Sequence, residues 1–175
     1  AESANLPRVI RYLAAQRRLP HPLLDALVHD GRIYADTRAN AVFLLLGNEK
    51  KVVGAELRGT TATEWRGMAT GSRKNLGYFS AGPVGARDVV LCESAIDAIS
   101  CAALYPECFC ISTAGARPNP AWLDTLLDRG LRIRCGFDAD ATGDQMAQAM
   151  IAAHPTIQRL RPPLHDWNDL LMAFL

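Results

Sequence analysis

Seven carboxylates stand in three groups behind apolar runs. Glu93 and Asp97 follow DVVLC (88–92), Asp138, Asp140 and Asp144 follow LRIRCGF (131–137), and Asp166 and Asp169 follow IQRLRPPLH (157–165). Hard oxygen donors gathered at strand ends suit Mg²⁺ or Mn²⁺ and the chemistry of phosphates. Asp138 and Asp140 lie two apart, so a regular strand end points both the same way. With Glu93 from a neighbouring strand they could hold one ion, or two roughly 3.5–4 Å apart as in two-metal phosphoryl transfer. Plainer roles stand beside this one. Glu93 could cap a helix opening at Ser94, although a carboxylate ending an apolar strand is costly to bury without a partner. Asp97, one turn further on, either supports the site or is a helix-surface acid. Asp140 could be an N-cap as well as a ligand, and Asp144 suits dipole compensation or support of the ligands more than direct coordination. Asp166 and Asp169 could simply cap a last helix, and Trp167 could simply pack in the core.

These residues need strands to carry them. DVVLC and LRIRCGF are short and β-branched or apolar, and each precedes a helical stretch, SAIDAISCAAL (94–104) and ATGDQMAQAMIAA (141–153). Between them lie the apolar CFCIST (108–113), a turn marked by Gly115, Pro118 and Pro120, and the helical AWLDTLLDRG (121–130), whose Gly130 suits a left-handed C′ position. From residue 88 the order is β-α-β-α-β-α, then a short strand at 157–160 and a last helix near 166–175. This alternation predicts an α/β fold with a mainly parallel four-stranded sheet, helices on both faces and the active groups at the carboxyl ends of the strands.

Glu93 with Asp97 four residues on, then Asp138-x-Asp140 with Gly143 and Asp144 trailing, resembles the Toprim domain shared by bacterial DNA primases, type IA and type II topoisomerases and several nucleases. The resemblance covers residues 88–175. It is strongest to the primase-like Toprim proteins of plasmids and other mobile elements, whose first motif reads Glu-Ser-x-x-Asp-Ala, as do Glu93, Ser94, Asp97 and Ala98 here. Those proteins end on Lys-Asp-Trp-Asn-Asp; this chain has His165, Asp166, Trp167, Asn168 and Asp169, with His in place of Lys. The resemblance implies a Toprim domain over 86–175 preceded by a smaller α+β lobe over 1–85, like the subdomain that helps form the nucleic-acid groove of primases. It implies Glu93, Asp138 and Asp140 as catalytic metal ligands for Mg²⁺ or Mn²⁺. Asp97, Asp144, Asp166, Asn168 and Asp169 would surround them.

The first half reads as two helices, 7–18 and one opening near Pro22 and closed by Gly31, then the strands RIYAD, AVFLLLG and KVVGAELRG. Gly47 to Lys50 supplies a hairpin turn. The stretch from Arg58 to Lys74 reads as a Gly-, Ser- and Arg-rich loop, with Arg58, Arg66, Arg73 and Lys74 as candidate contacts to nucleic acid or nucleotide. Pro83 to Arg87 reads as a linker. Charge divides between the halves: residues 1–87 carry 13 Lys and Arg against 7 Asp and Glu, and residues 88–175 carry 6 against 11. A basic lobe beside an acidic one suits a polyanion held by the first and processed at the second; an ordinary solvated face is the plain alternative.

With 49% hydrophobic residues the chain can bury a core, yet no apolar run approaches the about 18 residues of a membrane span. No secretory leader opens the sequence, which starts AESANLPRVIRYL without an initiator Met and so reads as a piece of a longer cytoplasmic protein. The five cysteines lack zinc spacing and read as buried thiols of a cytosolic fold. The four histidines are scattered, and no Walker loop, nucleophile elbow or dinucleotide fingerprint is present. Three functions fit: a primase-like nucleotidyltransferase core of a mobile-element replication or transfer protein, acting on single-stranded DNA (or RNA) with nucleoside triphosphates; a metal-dependent nuclease or maturase using the same carboxylates; or a non-catalytic nucleic-acid-binding module that keeps the Toprim fold, attached to relaxase or helicase domains.

Overall fold

A computed structural model describes residues 1–61 and 65–174. They fall into two units, Ala1–Phe79 and Ser80–Leu175.

The first unit opens with a 3₁₀ turn, Ser3–Asn5, and helix α1, Leu6–Arg11, with Pro7 in its first turn, where no N–H is needed. The helix expected over 7–18 does not keep one pitch. It widens into a π turn over Tyr12–Gln16, where two consecutive side chains, Tyr12 and Leu13, are both buried. Arg18 then takes a left-handed φ of 55°, and the Leu19 N–H reaches back to the Leu13 carbonyl at 3.0 Å, closing the helical run. Helix α2, His21–His29, is followed by the left-handed Gly31. Strands β1 (Ile33–Ala35), β2 (Ala41–Leu46), β3 (Val52–Arg58) and β4 (Arg66–Met68) form an antiparallel sheet in that order. Asn48–Lys50 make the turn between β2 and β3, with Glu49 and Lys50 both at positive φ. Strand β4 corrects the expectation of a continuous loop from Arg58 to Lys74. Three residues with no alternating pattern carry no strand signal of their own; they are strand because the edge of β3 offers them partners. Phe43 and Phe79 meet edge to face at 5.4 Å in this unit's core.

The second unit holds a five-stranded sheet in the order β5-β7-β6-β8-β9, one strand more than expected. Its members are β5 (Phe79–Ala81, whose first residue is the last of the first unit), β6 (Asp88–Cys92), β7 (Phe109–Ser112), β8 (Arg132–Cys135) and β9 (Gln158–Arg159). The unexpected β5 lies at the edge, beside β7, and is too short to show a period. β6 pairs in parallel with β7 and β8, and β8 in parallel with β9. Parallel pairing requires crossovers, and α3 (Ala95–Leu104), α4 (Leu123–Asp128) and α5 (Ala141–Ala153) lie between these strands in sequence, with α6 (Trp167–Phe174) last. Val89, Val90, Leu91 and Cys92 are wholly buried, which explains why β6 reads as a continuous apolar run rather than an alternation. Helix α3 is buried from Ala95 through Ala102 and packs on β6, β7 and α6. All five cysteines are free and buried, and burial pushes the Cys92 thiol up to about 12. No described helix is long and apolar enough to cross a membrane.

Candidate active site

The parallel sheet puts the ends of β6 and β8 side by side, because Leu91 is the register partner of Cys135. Glu93 therefore emerges next to the loop holding Asp138. Its Oε1 accepts the Asp138 backbone N–H at 3.1 Å. Asp138 Oδ1 is buried and has no hydrogen-bond partner among the described residues. The Asp138 carboxyl is pushed up to about 8, first by desolvation and then by the negative charges of Asp97, Glu93, Asp166 and Asp140. All five acids thus act on one small region.

They do not form a ready-made cage. Among the described residues no three His, Cys, Asp or Glu side chains are grouped closely enough to hold an ion as they stand. The acids around Asp138 have instead taken nearby donors. Glu93 takes the Asp138 N–H, and Asp140 is the N-cap of α5, accepting the Gly143 N–H at 2.7 Å. Asp166 accepts the Asp169 N–H at 2.7 Å at the start of α6. The donor set nevertheless fits Mg²⁺ or Mn²⁺, which need only one or two carboxylates and keep several waters. A buried, unpartnered carboxylate oxygen among four other acids is the chemical match for such a cation.

Glycine at 143 lets the backbone close on Asp138, and glycine at 136 lets it close on Val90 and Trp167. A Cβ on Gly143 would overlap the Asp138 carbonyl oxygen and stand 3.0 Å from the Asp138 nitrogen, so the first turn of α5 lies directly against this residue. A Cβ on Gly136 would stand 2.7 Å from Val90 Cγ1 and 3.0 Å from Trp167 Nε1. Trp167 itself is wholly buried, donates to the Gly136 carbonyl at 2.7 Å and meets the Tyr105 ring edge-on. It packs in the core and ties α6 to the end of β8.

Behind the acids lies a buried polar network. Ser94 caps α3, its hydroxyl donating to Asp97 Oδ2 at 2.6 Å while the Asp97 N–H returns to Ser94 Oγ at 3.3 Å. Asp97 Oδ1 also accepts the Asn168 N–H at 3.4 Å, and Asn168 Nδ2 donates to Ser100 Oγ at 3.0 Å. Asp97 and Asn168 therefore join α3 to α6 directly behind the acidic loop.

Asp144 belongs elsewhere. Arg161 and Arg159 both bind its carboxylate, and these hydrogen bonds hold it down at about 2. The two arginines went unremarked in the sequence, where 157–165 reads only as an apolar run. Their two-residue spacing is no distinguishing signal, because Arg132 and Arg134 share it and pair with Asp88 instead.

In the first unit, Arg58 and Arg66 are direct cross-strand partners on β3 and β4, which places two guanidinium-bearing residues side by side. Arg73 lies in the turn after β4, its N–H on the Val53 carbonyl at 2.8 Å, and lines a cleft of about 310 Å³ with Gly54, Ala55 and Ala69 to Ser72. Ser72 fixes that turn by accepting the Ala55 N–H at 3.1 Å and donating to the Ala69 carbonyl at 2.6 Å. Lys74 follows, half-buried.

Comparison with known proteins places both units. Residues 11–83 match a family described as a protein of unknown function, DUF3991, and residues 90–171 match the family described as Toprim-like. A 65 kDa protein of Zymomonas mobilis subsp. mobilis is 33% identical over 165 residues, a match covering 81% of this chain and 28% of that protein. The chain thus spans under a third of this relative's length. Among solved structures, the DnaG catalytic core superposes with a TM-score of 0.68 at 15% identity, covering 98% of this chain and 71% of that one. The DnaG primase catalytic domain bound to single-stranded DNA gives 0.65 at 14% identity, covering 99% and 71%. The chain has the mixed α/β fold of the primase catalytic cores, and within it residues 90–171 match the Toprim-like family.

Proposed function

We propose that this chain is the catalytic core of a primase-like nucleotidyltransferase belonging to a DNA replication or transfer protein of a mobile element, working on single-stranded DNA with nucleoside triphosphates. The observation that carries the reading is Asp138: a buried, unpartnered carboxylate oxygen in the field of four other acids. Glu93, Asp138 and Asp140 are the groups that would hold Mg²⁺ or Mn²⁺. Bound there, the ion supplies charge neutralisation for phosphoryl transfer. The chain's own contributions are separate. Glu93 holds the Asp138 backbone through its N–H, Asp140 ties the loop to α5, and Asp97 with Asn168 backs the loop from α3 and α6. Asp166 adds negative charge, and Asp169 lies in the first turn of α6. Arg58 and Arg66, with Arg73 and Lys74 beyond them, supply cations for phosphates of template or nucleotide. The single-stranded DNA in the DnaG neighbour supports a nucleic-acid partner. Helicase or relaxase domains in a longer protein and a cytoplasmic setting complete the proposal.

The test is incubation with single-stranded DNA, labelled nucleoside triphosphates and Mg²⁺ or Mn²⁺, scoring extended and shortened products together. Extension that disappears in Asp138→Ala and Glu93→Ala supports the primase reading. Metal-dependent shortening lost in the same variants identifies a nuclease instead. DNA binding with neither product identifies a binding module.

A further inference from the structure

Backbone carbonyls of the last residue of β8 and the loop after it are met by two arginines. Arg159, at the end of β9, donates through Nη1 to the Cys135 and Phe137 carbonyls at 3.0 and 2.9 Å, and through Nη2 to the Asp138 carbonyl at 3.1 Å. The same Nη2 reaches Asp144 Oδ1 at 2.9 Å. Arg161 donates through Nη2 to the Ala139 carbonyl at 3.0 Å, and through Nε and Nη2 to both oxygens of Asp144, at 3.0 and 3.1 Å. Four carbonyls between 135 and 139 are thus held from one side. Asp144, one turn into α5, locks the guanidinium pair to the helix that Asp140 caps. The Ala139 N–H is held on the other side by the His165 carbonyl at 2.7 Å.

We propose that Arg159 and Arg161, anchored on Asp144, are positioning residues that set the divalent-cation affinity of Asp138 and Asp140 by fixing the backbone from which those carboxylates project. This rests on the metal-site reading above. Only a guanidinium offers a planar fork able to serve three carbonyls and a carboxylate at once; an ammonium carries three donors on a single atom. Asp144 is consumed by the clamp, which takes it out of the set of groups available to a cation. Groups that orient metal ligands in this way typically alter affinity about 10–100-fold when removed.

The experiment uses the whole chain with Mn²⁺ as probe, titrated by calorimetry, alongside amide hydrogen exchange without metal. Arg159→Met should raise the Mn²⁺ dissociation constant at least about tenfold and speed exchange of the Asp138 and Ala139 amides, leaving the Val90 and Leu91 amides in β6 protected. Arg159→Lys should fall between it and the wild type. Arg161→Met, which removes bonds only to Ala139 and Asp144, gives a milder version should Arg159→Met fail to fold. Wild-type affinity together with unchanged exchange in a folded Arg159→Met or Arg161→Met would overturn the clamp. Faster exchange with unchanged Mn²⁺ affinity would overturn its role in cation affinity. Absence of Mn²⁺ binding by the wild-type chain would overturn the metal reading, and with it the clamp's effect on affinity, a result distinguishable from failure of the clamp alone.

Discussion

Replacing Asp138 by Asn should stabilise the metal-free protein at neutral pH and destabilise it once metal is bound. The folded-state pKa of Asp138 is raised to about 8 from an ordinary value of 3.8. Below both values the carboxyl is neutral in folded and unfolded chains and has no effect on stability. As pH climbs, the unfolded chain releases its proton first, so stability falls with pH up to about 8 and is then level. At pH 7 the unscreened penalty is about 4 kcal/mol, taken as about 3 pH units at 1.36 kcal/mol each; solvent screening at this half-buried side chain reduces it to about 1–2 kcal/mol. Asn keeps the shape and removes the charge, which corresponds to a rise in melting temperature of about 3–6 °C for a chain of this size. The assay is thermal melting with chelator, followed by fluorescence of the buried Trp122 and Trp167, at pH 4, 5.5 and 7. The gain should grow across that series and be near zero at pH 4. With Mn²⁺ at about 100 times its dissociation constant the wild type gains about 2.7 kcal/mol by mass action while the variant gains little, so the order reverses. An Asp138→Asn variant that melts at or below the wild type at pH 7 without metal would contradict this account of the buried carboxyl.

Four further outcomes are expected. Gly143→Ala should push the Asp138 carbonyl away and cost about 1–3 kcal/mol by overpacking, read as a lower urea midpoint together with lost metal-dependent activity. Ser94→Ala removes the cap of α3 and the donor to Asp97, lowering stability by about 1 kcal/mol at an unchanged denaturant slope. For Asp144, whose folded pKa is lowered to about 2, the stability it contributes is present above its unfolded value and lost as pH falls toward 2. The stability difference between wild type and Asp144→Asn should therefore shrink on acidification from pH 6; a constant difference would contradict the arginine pairing. Arg73→Ala with Lys74→Ala should weaken single-stranded DNA binding and flatten its salt dependence by about 0.7 in log–log slope for each phosphate no longer engaged, whereas an unchanged slope with a higher nucleotide requirement would assign the pair to the triphosphate.

The features legible in the sequence alone are local ones. The apolar run of β6 and the Asp140 cap of α5 are readable because each depends on neighbours within a turn, whereas the cap of α3, expected of Glu93, is made by Ser94 one residue on. The π turn at Tyr12–Gln16 and the short strands β4 and β5 escaped it, since their hydrogen bonds and burial come from partners remote in the chain or from core packing that no period reports. Folding, by contrast, separates three aspartates that look alike in sequence. Parallel pairing of β6 with β8 brings Glu93 to the Asp138 backbone and buries an Asp138 oxygen among other acids. Asp140, two residues on, commits an oxygen to its own helix, and Asp144 is captured by arginines from β9 and just beyond it. Burial, like charge and an opposed guanidinium act through space, so the difference between a carboxyl near 8 and one near 2 belongs to the fold rather than to residue type or spacing.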